Sequence, residues 1–152
     1  MQIKGGLSGS YSAIIFPAAC STVSGFSCSC FCLFRFSLSA PPDGFLLLHI
    51  SPVEQAELLQ KLRNNEFGFH PANIQAVKES ILLSSSENGS FYGKTGTGQI
   101  NGKNVNGWFV GYVEKPDRVY YFAANIHGRS GAVGSKAAEI TQSVLSDMQI
   151  WD

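Results

Sequence analysis

An α+β domain, an antiparallel sheet flanked by helices, is predicted for the second half of this chain by three observations. A capped amphipathic helix opens at Ser51, three apolar strand runs separated by turn residues lie between 90 and 126, and a helical pattern closes the chain over about 135–149. Ser51-Pro52-Val53-Glu54 has the pattern of a capping box: a serine N-cap, proline at the first helical position and glutamate three residues after the cap. Val53, Ala56, Leu59 and Leu62 then recur on one face until Asn64-Asn65 ends the helix. Pro71 starts a second helix with Ile74, Val77 and Ile81 as its buried stripe, and the serine-rich run 84–89 reads as a loop.

The first strand covers 90–96, and Asn101-Gly102 marks a hairpin turn after it. The second, 107–113, is apolar on both faces, as a central strand covered by helices would be. Trp108 is expected in the core beneath the first strand, and Gly111 at a close backbone approach. Pro116-Asp117 turns the chain into the third strand, 119–126; Glu114 and Lys115 read as a solvated strand end, and Tyr92 as structural. The closing helix carries Ala138, Ile140, Val144, Leu145 and Met148. The expectation is two helices, a three-stranded meander and a final helix.

Composition divides the chain. Its 152 residues are the size of one domain, and 44% are hydrophobic, enough for a packed core. Eleven basic and eleven acidic residues cancel, which excludes the basic footprint of a nucleic-acid binder. Between residues 5 and 40, however, Arg35 is the only charge. Residues 1–42 therefore read as an atypical Cys/Ser/Phe-rich segment, and 43–152 as a partial domain. Cys20, Cys28, Cys30 and Cys32 have no nearby histidine and no second pair at zinc-like spacing, so neither a metal nor another cofactor is expected. Their disulfide pairing stays open. Lys4, the short apolar run 13–16 and Pro17-Ala18-Ala19-Cys20 make a poor export signal, and no stretch of about 18 apolar residues spans a membrane. A scrambled or out-of-frame stretch joined to a domain fragment accounts for the segment better.

The chemistry gathers at Tyr92-Gly93-Lys94-Thr95-Gly96-Thr97-Gly98, at the end of the first strand. Lys94 offers a fixed positive charge and Thr95 a hydroxyl donor, while Gly96, without a side chain, lets a ligand lie along the strand. Together they suit a carboxylate, with the backbone N–H of Thr97 aimed at a carbonyl oxygen as half of an oxyanion hole. A Lys-Thr-Gly triplet alone is weak, because surface turns produce it by chance. His70 reads as a helix-entry residue, and His49 and His127 have no Ser or Asp at a suggestive spacing.

The surrounding residues make the triplet specific. Phe91 to Gly98, then Asn106-Gly107-Trp108-Phe109-Val110-Gly111-Tyr112-Val113-Glu114, then Tyr121-Phe122-Ala123-Ala124-Asn125-Ile126 resembles the end of a class D (oxacillinase-type) serine β-lactamase. It is equally similar to the related extracellular sensor domain of the bacterial β-lactam receptors. The helix beginning Ile50-Ser51-Pro52-Val53-Glu54-Gln55 and the run Ala76-Val77-Lys78-Glu79 extend the resemblance to about residues 45–151. It implies the C-terminal part of the serine β-lactamase/penicillin-binding transpeptidase fold. The implied ligand is a β-lactam or a D-Ala-D-Ala-like carboxylate, met in an extracellular, periplasmic or membrane-anchored setting. Lys94, Thr95 and Gly96 would be its substrate-binding residues, and Lys136, near the start of the last helix, stands where the family usually has an arginine; Arg129 is its rival.

The resemblance also implies a Ser-x-x-Lys nucleophile, and no lysine here has a serine three residues before it. Ser21-Thr22-Val23 matches the family's second motif only formally, and its Tyr-Gly-Asn element is missing. The leading expectation is a class D β-lactamase fragment without its nucleophile, inactive alone. The alternative is a sensor domain that is acylated without turnover, and a third reading is a non-functional truncated or frameshifted product.

Overall fold

A computed structural model of the chain describes residues 50–151 with their side chains and, before them, the backbone of four short strands. These are β1 (Gln2–Ile3), β2 (Tyr11–Pro17), β3 (Leu38–Ser39) and β4 (Leu47–Leu48). The cysteines, His49 and Ser21-Thr22-Val23 lie outside the described residues.

Helix α1 (Pro52–Arg63) forms as its cap dictates. The Ser51 hydroxyl accepts from the Glu54 N–H, and the Glu54 carboxylate accepts from the Ser51 N–H at 2.8 Å. Those bonds hold the Glu54 carboxyl below its ordinary value. Helix α2 (Pro71–Ile81) starts at Pro71 with His70 as its N-cap, Nδ1 accepting from the Ala72 N–H. Its expected stripe is only partly realised: Ile74 and Ile81 are half-buried, but Val77 is exposed, because α2 lies against the edge of the sheet and buries no residue fully.

The run 84–89, expected as a loop, contributes to a strand, β5 (Leu82–Ser86). It buries nothing and so shows no hydrophobic alternation; ladder bonds to β6 and a contact between the Ser85 and Ser90 hydroxyls hold it. β6 (Gly89–Ile100) and β7 (Lys103–Glu114) outrun their expected lengths and meet at Asn101-Gly102, both at positive φ as the tight hairpin requires. β8 (Val119–His127) follows. The sheet has six strands in the order β1-β2-β8-β7-β6-β5, every pair antiparallel, rather than the three expected. The extra strands are β5 and, beyond β8, β2 and β1.

Helix α3 (Gly134–Asp147) covers one face. Its Ala137 and Leu145 pack with Phe91, Phe109, Val113, Phe122 and Ile126, whereas Met148 is exposed at the helix end. Helix α1 covers part of the other face, where Ala56 and Leu59 meet Tyr92, Val110, Tyr112, Tyr121 and Ala123. Glu114 is no solvated strand end: its carboxylate accepts from Arg63 Nη2 of α1, both side chains are partly buried, and the guanidinium lies 5.8 Å from the Tyr112 ring centre. Tyr92 stacks on Tyr112 at 4.5 Å, the structural role expected of it.

Tyr112 is 1% exposed, and its hydroxyl finds no hydrogen-bond partner among the described residues. Burial, reinforced by neighbouring Tyr92 and Glu114, holds the phenol well above its ordinary pKa. A raised folded-state value favours the protonated form, so this stabilisation is complete below about pH 10, where unfolded tyrosine titrates. It is lost as pH rises from there toward the folded value. Tyr112→Phe removes an unpaired buried hydroxyl and is expected to be neutral or stabilising by about 1 kcal/mol at pH 7. It should also make the alkaline loss shallower, with Tyr121, likewise raised by burial, accounting for part of what remains. Urea titrations at pH 7 and pH 11 check both.

Candidate functional site

The face of the sheet not covered by α3 carries the motif. Registered partners share a face, so three cross-strand rows line up there: Lys94 with Val110 and Ala123, Gly96 with Trp108 and Asn125, and Gly98 with Asn106 and His127. A cavity of about 420 Å³ lies over these rows, with Lys94, Thr95 and Gly96 on one side and Ile50 and Gln55, at the start of α1, on another. Trp108, expected in the core, is half-buried and forms the cavity's wall. The reason is local: a β-carbon at Gly96 would approach nothing nearer than Trp108 Cβ at 3.7 Å, so no side chain of β6 covers the indole.

The motif also lies at an edge. β5 pairs with β6 only as far as Tyr92, so among the described residues β6 has a partner on one side only from Gly93 to Ile100. In an antiparallel strand each residue's N–H and C=O point to the same side and alternate along the chain. The Tyr92 carbonyl crowds Gly111 of β7, so Gly93, Thr95 and Thr97 turn their backbone groups away from β7. The Thr95 carbonyl, turned outward, accepts from Lys94 Nζ at 2.7 Å. The same alternation turns the Thr97 N–H outward.

Opposite the cavity, the start of α3 grips the motif from behind. The Gly134 N–H donates to Thr97 Oγ1 at 2.9 Å, and a β-carbon at Gly134 would meet the Gly96 backbone at 2.7 Å. Lys136 is exposed on the first turn of that helix and does not line the cavity, nor does Arg129. Lys94, Thr95 and Gly96 therefore line the cavity and Lys136 does not, although its helix begins against the motif at Gly134. Two groups missed from sequence enter instead. His127 lines the cavity, and Asn106 and Asn125 form a polar pair on its floor. Their separation in sequence hides them, and only the β7–β8 register brings them together. Among the described residues no group of three or more His, Cys, Asp or Glu could hold a metal, and no helix is long and apolar enough to cross a membrane.

Comparison with known proteins follows the same line. Regulatory protein BlaR1 of Bacillus licheniformis is 47% identical over 115 residues, 74% of this chain and 19% of that protein. The solved C-terminal domain of the Bacillus licheniformis BlaR penicillin-receptor superposes with a TM-score of 0.65 at 48% identity, over 69% of this chain and 43% of that one. The probable β-lactamase YbxI of Bacillus subtilis is 34% identical over 98 residues, 64% of this chain and 34% of that protein. The chain thus spans about a fifth of the receptor's length and less than half of the solved domain. Of the two leading expectations, the receptor alternative has the greater similarity and the β-lactamase reading the lesser. The penicillin binding protein transpeptidase domain matches residues 35–146, and the chain belongs to that family.

Proposed function

We propose that residues 43–152 supply the carboxylate-holding side of a β-lactam-recognising sensor domain, placed outside the cell membrane where β-lactams first arrive. The carrying observation is Lys94 standing with Thr95 and the bare Gly96 at the rim of an open cavity, on a strand whose outer edge is unpaired. In this reading Lys94 holds the ligand's carboxylate, and the outward Thr97 N–H takes its carbonyl oxygen, while the Thr95 side chain, registered with Phe109, stands on the α3 face. Lys136, in the first turn of the helix that begins against the motif, would offer a point charge where an arginine would give a two-pronged grip. The greater similarity to the BlaR1 receptor than to the β-lactamase supports the sensor over the hydrolase. No lysine of the sequence follows a serine by three residues, so these residues hold no acylating nucleophile and base for either reading.

Calorimetric titration of the chain with benzylpenicillin tests the reading. Reversible binding is expected, with at least a tenfold loss on Lys94→Ala, since a charge-assisted bond contributes about 1.5–3 kcal/mol. Binding untouched by Lys94→Ala sinks the assignment. Intact mass after incubation should show no adduct, and a stable one would reveal a nucleophile that the motif reading lacks.

A further inference from the structure

We propose that Asn101 is a site of spontaneous covalent modification, cyclising with Gly102 to a succinimide that water opens to aspartate or isoaspartate. The sequence holds three Asn-Gly pairs, Asn88-Gly89, Asn101-Gly102 and Asn106-Gly107, and each carries the same latent reaction. The glycine backbone nitrogen, giving up its proton, bonds to asparagine Cγ; the Cγ–Nδ2 bond breaks, and ammonia leaves with that proton. Water then splits the imide ring at one carbonyl or the other and leaves a carboxylate. Nothing is oxidised or reduced, and water is the only co-reactant. Glycine favours the step because it has no β-carbon to hinder its nitrogen.

The structure separates the three pairs. Ring closure needs a free glycine N–H, an asparagine side chain with no other partner, and room for the two to turn toward each other. Asn106 meets none of these conditions. Its Oδ1 accepts from Asn125 Nδ2, and a β-carbon at the buried Gly107 would meet the Val133 carbonyl oxygen at 2.6 Å. Thr97, the register partner of Gly107, turns its backbone groups away from β7, so those of Gly107 face away from β6 and join the ladder to β8. Asn88 is exposed, but Gly89 already belongs to β6, paired with Ser86, and a β-carbon there would run into the Glu114 carbonyl.

Asn101 and Gly102 meet all three. Both are exposed at the tip of the β6–β7 hairpin, and a β-carbon at Gly102 would have nothing within 4 Å. Neither the Asn101 side chain nor the Gly102 N–H has a partner among the described residues. The ladder closes at Ile100 and Lys103, just outside the pair, so at most that last pairing has to open. Opening also releases Asn101 from φ +50°, a region that residues with a β-carbon enter at a cost. The product alters the hairpin. Isoaspartate routes the main chain through Cβ and Cγ, lengthening a turn whose two residues must both hold positive φ. The Ile100–Lys103 pairing and the Gln99–Asn104 side-chain bond beside it, 2.7 Å long, are expected to open with it. A carboxylate is also added to a chain whose eleven basic and eleven acidic residues cancel, so the product separates by anion exchange.

Incubation of the full chain at pH 8, followed by peptide mapping with fragmentation that distinguishes isoaspartate, tests the assignment. In the native protein Asn101 is expected to convert at least about tenfold faster than Asn106 and about threefold faster than Asn88, since those two must first break ladder bonds. In guanidinium chloride the three should convert within about threefold of one another, because the dipeptide is the same and the fold no longer selects. Asn101→Gln, whose extra methylene slows ring closure, should remove most of the acidic product of the native protein. Conversion of Asn88 or Asn106 as fast as Asn101 in the native state overturns the inference. So does an Asn101 that stays intact while the denatured chain reacts, a denatured chain that keeps the native order, or an acidic product that forms as fast in Asn101→Gln.

Discussion

Gly111→Ala is expected to destabilise the domain by about 3 kcal/mol or more, at the upper end of what overpacking a core costs. A β-carbon there would lie 2.0 Å from the Tyr92 carbonyl oxygen and 2.5 Å from Phe122 Cζ. The second neighbour is a side-chain atom and can give way; the first is ladder backbone and cannot, without parting β6 from β7. Combining Gly111→Ala with Phe122→Leu should therefore restore little. Gly93, the register partner of Gly111, is the contrast. Its added β-carbon would meet the Phe109 ring at 2.6 Å and Leu83 Cδ1 at 3.1 Å, side chains only. Gly93→Ala should cost less and be partly relieved by Phe109→Leu. Urea denaturation of the four variants decides the matter, and a Gly111→Ala protein of native stability would show the β6–β7 approach to be looser than described.

Phe122→Ala should cost about 3–5 kcal/mol, a large part of the stability of a domain this size. Phe122 is 1% exposed, its ring centre lies 5.1 Å from that of Phe109 and 5.7 Å from that of Phe91, and it belongs to the core that α3 covers. Truncation removes the ring's transfer energy and leaves a hole walled by aromatics that cannot collapse into it. Phe67→Ala is the control. That residue is 46% exposed in the α1–α2 connection, and its loss should change stability by less than about 0.5 kcal/mol. Thermal melts showing the two variants alike would contradict the burial described here.

Where local chemistry decides the structure, the sequence shows it. The Ser51-Glu54 capping box, Pro71 at the start of α2, the Asn101-Gly102 hairpin and the apolar runs of β7 and β8 all depend on neighbours in the chain. So does the Lys94-Thr95-Gly96 motif. What the sequence hides depends on distant partners. β5 is exposed along its length and carries no pattern, and β2 pairs with a strand far along the chain. Arg63 and Glu114 are 51 residues apart, so neither signals the other. Trp108 reads as core until the register sets it opposite Gly96, where nothing covers it. The asparagine pair, 19 residues apart, is invisible for the same reason.

The strand order carries a kinetic consequence. β5 to β8 are neighbours in both sequence and space, joined by short turns, so each pairing closes only a small loop. β2 must instead find β8 across about a hundred residues, with Pro17 opposite Tyr120. By loop-closure entropy that contact costs about 3 kcal/mol more than a four-residue hairpin before any bond rewards it. Assembly should therefore run in two stages, the meander zipping first through contacts of low sequence separation and β2 arriving on a template already formed. Until then β8, the most completely buried strand of the finished sheet, stands as its growing edge.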